Sequence, residues 1–304
     1  MNTIKIGSRG SKLALAQTNY IINLFRKKHL DINVKLIIIK TTGDTDRISS
    51  LEKIGGTGVF TKKIEQALIN KTIDIAVHSA KDLPSVDANG LMIGAVPERG
   101  PIEDVWIAKD NSSLADTKPG SVVGTSSPRR KAMLLHMRSD LIVRDIRGNI
   151  ETRLSKLSLS GYDALIAARA GLYRLGFDDE TTEILSPDIF IPAPGQGALA
   201  VQIRCDDKNI KEIVSLLNDE QAHRCLNIER LLLKKLNAGC STAIGGIAYC
   251  DINEVWLKAV IFNKNGSKRL DASDKITAEL SNELLVDKVM NSLIKQGAIA
   301  LIDG

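Results

Sequence analysis

The residues best suited to chemistry in this 304-residue chain lie where apolar runs stop. The run Asp74-Ile75-Ala76-Val77-His78-Ser79-Ala80-Lys81-Asp82-Leu83-Pro84 ends by delivering His, Ser, Lys and Asp together. In parallel α/β sheets, ligands sit beyond the carboxyl ends of strands. An ionised Asp82 beside Lys81 can stabilise a cation or pass a proton there. The plainer reading is a charged turn before Pro84, with His78 a hydrogen-bonded strand-end residue rather than a base. A second run, Gly7-Ser8-Arg9-Gly10-Ser11, opens a helix whose first N–H groups, with Arg9, suit an anion or form an ordinary glycine turn. It matches neither the dinucleotide fingerprint nor the P-loop.

Cations recur at later junctions. Thr125-Ser126-Ser127-Pro128-Arg129-Arg130 supplies hydroxyls, a helix start with Pro in its first turn, and two guanidiniums. Arg147-Gly148-Asn149 and Arg153 follow the next strand, and Arg169 and Arg174 the one after. Arg forks hold carboxylates bidentately. One such Arg alone reads as a solvated charge, and it is the repetition at successive strand exits that points to a bound anion. Lys53-Ile54-Gly55-Gly56-Thr57-Gly58-Val59-Phe60 is either a mobile anion-binding flap or a flexible connection. Cys240, in the small-residue loop Asn237-Ala238-Gly239-Cys240-Ser241-Thr242-Ala243, has a sulfur that a ligand could reach. The other cysteines, Cys205, Cys225 and Cys250, read as packing residues, and no C-x-x-C pair offers a zinc or dithiol site.

The elements that must position these groups follow an α/β pattern. Strands are expected at Thr3–Gly7, Val34–Lys40, Ile73–His78 and Leu91–Val96, with helices at Lys12–Lys28, capped by Ser11, and Val59–Asn70. Continuous apolar strands between helices imply a parallel sheet covered on both faces. The pattern breaks at Pro97-Glu98-Arg99-Gly100-Pro101 and restarts. Strands follow at Val105–Ala108, Val122–Gly124, Leu141–Asp145 and Tyr162–Ala168, with helices at Pro128–Arg138, Asn149–Leu157 and Arg169–Leu175. A second breaker-rich crossing runs from Pro187 to Gly197, and two crossings between α/β lobes make a natural hinge with a cleft. Ala198–Arg204 is a strand that could return to the first lobe. A long helix, Asp219–Leu236, then opens a small α+β domain with strands Ile247–Cys250 and Val255–Phe262, a turn at Lys264-Asn265-Gly266 and a final helix, Ser281–Gln296. The expected domains are 1–97 plus 198–216, 103–191, and 219–304.

Composition narrows the partner. Apolar residues make up 43% and charged residues 25%, ordinary globular values that exclude disorder, collagen and coiled coil as the main theme. The net charge is +5, and residues 121–175 alone hold eight Arg, two Lys and four acids, or +6. A basic face asks for an anionic partner. Nucleic acid would call for aromatics or a reading motif, and this segment offers only Tyr162 and Tyr173. No run reaches the ~18 apolar residues of a membrane helix. Leu13–Phe25, broken by Gln17, Thr18 and Asn19, is not read as a signal peptide, so a cytoplasmic protein is expected.

Taken in order, these stretches resemble the porphobilinogen deaminase (hydroxymethylbilane synthase) family. The resemblance rests on Arg9-x-Ser11 with Leu13-Ala14-Leu15, Gly55-Gly56-x-Gly58-x-Phe60, His78-Ser79-x-Lys81-Asp82-x-Pro84 and Gly124-Thr125-Ser126-Ser127-x-Arg129-Arg130. It rests also on Arg147-Gly148-Asn149, Thr152-Arg153-Leu154-x-Lys156-Leu157 and Pro192-x-Pro194-Gly195-Gln196-Gly197. It implies two lobes of the type II periplasmic-binding-protein kind joined by hinge strands, plus a small α+β C-terminal domain. It implies a dipyrromethane cofactor held by a thioether to Cys240 and a catalytic aspartate at Asp82. Four porphobilinogen molecules would be deaminated and joined head to tail, each through an azafulvene cation, and water would release the linear tetrapyrrole. Arg9, Ser11, Lys81, Thr125, Ser126, Ser127, Arg129, Arg130, Arg147, Gly148, Arg153 and Arg174 would bind cofactor and substrate carboxylates, with Lys53, Gln17 and Gln196 as further contacts. Thr57 departs from the lysine often found in the family's glycine loop. A monomer without a metal, acting on a small molecule and on neither nucleic acid nor membrane, is implied. The rival is a cytosolic hinge-type binding protein for a small anion.

Overall fold

The computed structural model describes residues 3–28, 32–41, 61–159, 161–237 and 242–303. The chain divides into two compact units, residues 1–100 with 197–226, and residues 101–196 with 227–304.

In the first unit, strands β1 (Ile4–Ser8), β2 (Val34–Ile38), β3 (Ile75–Ser79), β4 (Leu91–Ala95) and β10 (Leu199–Arg204) form one sheet, in the order β2-β1-β3-β10-β4. β1 runs parallel to β2 and β3, whereas β10 is antiparallel to both of its neighbours. Helix α1 (Lys12–Lys27) starts where Ser11 Oγ accepts from Ala14 N. Its Ile21 and Phe25 meet Val77, Leu199, Val201 and Ile203 on one face of the sheet. Helix α2 (Lys62–Ile69) covers the other face through Ile64 and Leu68 against Ala76.

The second unit repeats the plan. Strands β5 (Asp104–Ala108), β6 (Val122–Gly124), β7 (Ile142–Arg144), β8 (Ala164–Ala168) and β9 (Glu183–Leu185) lie in the order β7-β6-β8-β5-β9. β5, like β10, is the one antiparallel strand, inserted between the third and the last. Each sheet thus takes one strand from a crossing and is mixed, where the apolar runs alone implied a parallel sheet. Helices α3 (Pro128–Met137), α4 (Ile150–Leu159) and α5 (Arg169–Leu175) follow β6, β7 and β8. Past the second crossing come α6 (Lys208–Ser215) and α7 (Glu220–Lys235). Then β11 (Ile244–Cys250), β12 (Glu254–Phe262) and β13 (Arg269–Thr277) form an antiparallel sheet, and α8 (Asn282–Lys295) and α9 (Ala298–Asp303) end the chain. α6, α9, β9 and β13 were not foreseen, β11 starts three residues earlier than expected, and β7 is shorter. Trp106, Met133, Leu134 and Phe190 share one apolar cluster with Ile247, Val260 and Phe262, which explains why the second and third sheets belong to one compact unit.

Two contacts fix the second unit. The β12–β13 turn seats on α3, where His136 Nδ1 hydrogen-bonds the Gly266 carbonyl at 2.9 Å. Gly266 has φ +75°, and a Cβ there would strike the Ala132 carbonyl. The second contact centres on Asp104, fully buried at the start of β5. Arg129 Nη1 lies 2.7 Å from one of its oxygens, and Arg130 Nη2 lies 2.7 Å from the other. Gln196 Nε2 donates to Asp104 Oδ1 at 3.0 Å and to the Ile102 carbonyl at 2.7 Å. Arg129 Nη1 also donates to the Ile191 carbonyl at 2.8 Å. Burial alone would raise the Asp104 pKa, but Arg129 and Arg130 overcome it and hold the carboxyl at about 2.

Removing one partner of a buried charge cluster leaves the others unpaired. Asp104→Asn is expected to lower stability by about 3–5 kcal/mol, read as an earlier urea midpoint. Gly266→Ala should cost about 1–3 kcal/mol through its left-handed backbone and the Ala132 contact. An unchanged midpoint in either variant would show that the contact carries no stability.

Candidate functional site

In each unit the chemistry-bearing residues gather at the carboxyl ends of the parallel strands. In the first, β1 leads into Arg9 and the Ser11 cap, and β3 leads through Ser79 into a 3-10 turn, Ala80–Asp82. β1 and β3 are neighbours, so Arg9 and Ser11 share one sheet edge with Lys81 and Asp82. Asp82 is exposed and Lys81 half-buried. Gln17, buried on α1, reaches across and donates to Ser79 Oγ at 2.7 Å. Ser8 is buried beneath this edge, its hydroxyl taking a 2.8 Å hydrogen bond from Thr18.

In the second unit, the loops after β6, β7 and β8 meet because these strands adjoin. The hydroxyls stitch this edge together. Thr125 Oγ1 accepts from Ser127 N at 3.2 Å, and Ser127 caps α3 by accepting from Arg130 N. Ser126 Oγ donates to the Ile146 carbonyl at 2.8 Å and accepts from Ile146 N at 3.1 Å. Gly148, at φ +116°, turns the chain so that its carbonyl accepts from Arg153 Nε at 2.9 Å. The Arg147 carbonyl accepts from Lys156 Nζ at 3.0 Å. Arg147, Arg153 and Arg174 are all half-buried. Burial, and then the charge of Arg130, lower the Arg153 pKa to about 10. Among the described residues, Arg153 is given a carbonyl partner and no carboxylate.

Three expected ligand contacts take a different place. Arg130 is buried, with Nε and Nη2 on Asp104 Oδ1 and Nη1 donating to the Ile166 carbonyl at 3.3 Å. Arg129 is buried, with its charge met by Asp104 and a further N–H on the Ile191 carbonyl, so like Arg130 it is an internal anchor. Burial lowers its pKa despite Asp104. Gln196 is buried on the second crossing and ties Ile102 to Asp104. Lys53, Thr57 and Cys240 lie outside the described residues. Asp104 was missed by sequence reasoning. Its one signal was an acid standing directly before the apolar run Val105-Trp106-Ile107-Ala108.

Among the described residues, no group of three or more His, Cys, Asp or Glu is placed to hold a metal ion, and no helix is long and apolar enough to cross a membrane. Among the described residues, the polar groups on these edges are mostly cations and hydroxyls, with the exposed carboxylates of Asp82 after β3 and Asp145 after β7. Cations and hydroxyls at each edge suit anionic ligands.

Comparison with known proteins agrees in kind. Residues 4–212 match the family profile described as porphobilinogen deaminase, dipyromethane cofactor binding domain, and residues 223–295 match that of the porphobilinogen deaminase C-terminal domain. The porphobilinogen deaminase of Geobacillus kaustophilus is 43% identical over 304 residues, covering 100% of this chain and 97% of that protein. That of Listeria welshimeri is 41% identical over 305 residues, covering 99% and 97%. The solved structure of the methionine binding protein MetQ is similar at a TM-score of 0.43 and 13% identity, over 77% of this chain and 95% of that one. With both profiles matched in order, and with relatives above 40% identity along their full length, the chain belongs to the porphobilinogen deaminase family.

Proposed function

We propose that this chain is a hydroxymethylbilane synthase. It deaminates four porphobilinogen molecules and joins them head to tail on a dipyrromethane primer bound through Cys240, then releases hydroxymethylbilane for tetrapyrrole and haem biosynthesis. Beyond family membership, the observation that carries this reading is the concentration of cations at the strand ends of the second unit, where residues 121–175 carry a net charge of +6. The single charge of Asp104 is shared between Arg129 and Arg130, and burial first and the charge of Arg130 second lower the pKa of Arg153. Such a local concentration of positive charge suits an external anion. Porphobilinogen brings an acetate and a propionate, and each ring added brings two more carboxylates.

The residues present fit the dipyrromethane group by their donor set: guanidiniums, amides and hydroxyls, with the Asp82 carboxylate apart. When bound, that group supplies a terminal ring whose free α-carbon bonds to the incoming methylene. Arg147, Arg153 and Arg174 hold carboxylates at the edge of the second unit, with Arg130 beneath them on Asp104 and with Thr125, Ser126, Ser127 and Gly148 shaping that edge. Arg9, Ser11, Lys81 and Gln17 serve the edge of the first, and Lys53 adds a further contact. Arg129 and Gln196 act from beneath, through Asp104. Charge-assisted contacts of this kind contribute about 1.5–3 kcal/mol each. Fixing the carboxylates also fixes the aminomethyl group, which removes much of the entropic barrier to joining two rings.

Asp82 acts where the charge changes. Cleavage of the C–N bond releases ammonia and leaves a cation delocalised over the substrate pyrrole. The carboxylate of Asp82 stabilises that cation, assists proton transfer to the departing amine, and can take up the α-proton lost when the new C–C bond forms. Its exposed position on a short turn leaves it open to substrate. We assign three functional domains, 1–97 with 198–216, 103–191, and 219–304. We read the protein as a cytoplasmic monomer with neither nucleic-acid nor membrane partners, in a compartment where the Cys240 thiol stays reduced until alkylated.

Intact mass spectrometry tests the cofactor assignment. The chain purified from cells that make porphobilinogen should exceed its sequence mass by one adduct, mapped to the peptide bearing Cys240 and absent from Cys240→Ser. An unmodified wild-type mass would favour a hinge-type anion-binding protein instead. Asp82→Asn should keep the adduct and still bind substrate, while kcat falls about 100- to 10,000-fold. Ammonia release near the wild-type rate in that variant would remove Asp82 from the reaction.

A further inference from the structure

We infer that His78 is a positioning residue for Asp82, acting through the turn that joins them. β3 ends at Ser79, and Asp82 is the last residue of the turn that follows. Side chains alternate along a strand, so the last residues of β3 are gripped from opposite faces. On the α1 face, Ser79 Oγ takes the 2.7 Å hydrogen bond from Gln17. On the α2 face, His78 is 6% exposed. The backbone supplies a third hold, Ala80 N donating to the Ala198 carbonyl at 3.0 Å.

The α2 face carries a buried polar seam. Gln202 on β10 pairs with Ala76 and so lies diagonal to His78 on the same face. Gln202 Nε2 donates to Glu65 Oε1 at 3.3 Å, and Thr61 Oγ1 donates to Glu65 Oε2 at 3.5 Å. His78 Nε2 and Gln202 Oε1 are both buried without a full hydrogen-bond partner. Burial lowers the His78 pKa most, an interaction with Gln202 raises it, and the Arg9 charge lowers it again, leaving it at about 4. The imidazole is therefore neutral at pH 7 and adds no charge beside Arg9. Apolar side chains would fill this face at less cost than a half-satisfied polar seam. The seam specifies geometry instead, holding the end of β3 in one register against β10 and α2 with Asp82 four residues away. A reacting group displaced by about 1 Å can lose 100-fold in rate, so support of this kind has kinetic weight.

The inference rests on the proposed reaction, and turnover by the wild-type chain reports on that reading separately. His78→Leu, Gln202→Leu, the double variant and the conservative His78→Gln are compared as loaded enzymes, well below their melting temperatures. His78→Leu should lose about 10- to 100-fold in kcat with KM nearly unchanged. Gln202→Leu should act in the same direction, the double variant should be little worse than His78→Leu, and His78→Gln should recover most of the rate. Amide exchange at Ala80 and Leu83 should quicken about tenfold while β2 stays protected. Wild-type kcat in His78→Leu would overturn the inference, as would a loss carried by KM or a fallen kcat with unchanged exchange at Ala80 and Leu83. Should His78→Leu fail to fold, Gln202→Leu decides alone by the same measures.

Discussion

A carboxylate with no access to water must be surrounded by donors, and at Asp104 those donors come from places far apart in the chain. Arg129 and Arg130 begin α3, and Gln196 belongs to the second crossing. Asp104 itself opens the strand that the first crossing delivers. Desolvating an ion is expensive enough that the cluster must form as a whole or not at all. One residue therefore arranges two things: it fixes the crossings against the second unit, and it separates the two arginines of α3, which it neutralises, from Arg153 on α4, which has no carboxylate partner among the described residues.

That division organises the site. Arg129 sets its charge against Asp104 and gives an N–H to the Ile191 carbonyl, whereas Arg153 keeps a carbonyl partner and has its pKa lowered by burial and then by Arg130. Like charges held together by the fold form a poor arrangement until an anion joins them, so a cost of the ligand-free state becomes affinity for the ligand. Asp82 follows the opposite logic. It lies exposed on a turn, as the proposed role of answering a positive charge on the substrate requires.

The strand ends were legible because local chemistry fixes them. Ser11 and Ser127 announce helix starts by capping, Pro128 suits a first helical turn, and the apolar runs of β1, β3 and β8 can only be buried strands. Asp82 and the arginines after β6, β7 and β8 follow from those boundaries. What was not legible depends on distant partners or weak pattern. β13 reads Arg-Leu-Asp-Ala-Ser-Asp-Lys-Ile-Thr, with only Leu270, Ala272 and Ile276 turned inward, so its alternation is faint until β12 lies beside it. β9 is three residues on a sheet edge. Nothing local shows that Asp104 will meet an arginine 26 positions on or a glutamine 92 positions on. Arg129 was singled out from its place at a strand exit and Gln196 from resemblance alone, and their actual partners became visible only in three dimensions.

The topology explains why structural and chemical residues crowd the same edge. A strand parallel to its neighbours brings its last residues to the functional end of the sheet, whereas an inserted antiparallel strand brings its first. Asp104, at the start of β5, pairs with Ala168, the last residue of β8. Leu199, at the start of β10, pairs with Ser79, the last residue of β3. Both crossings therefore arrive beside the loops that bear the cations and the carboxylate. Any change that shifts a crossing shifts the frame of the groups next to it, and any charge placed on those groups pulls on the crossing. Burying the charged anchor of the crossings within the first residues of an inserted strand, as Asp104 does, is how this fold keeps such coupling from becoming looseness.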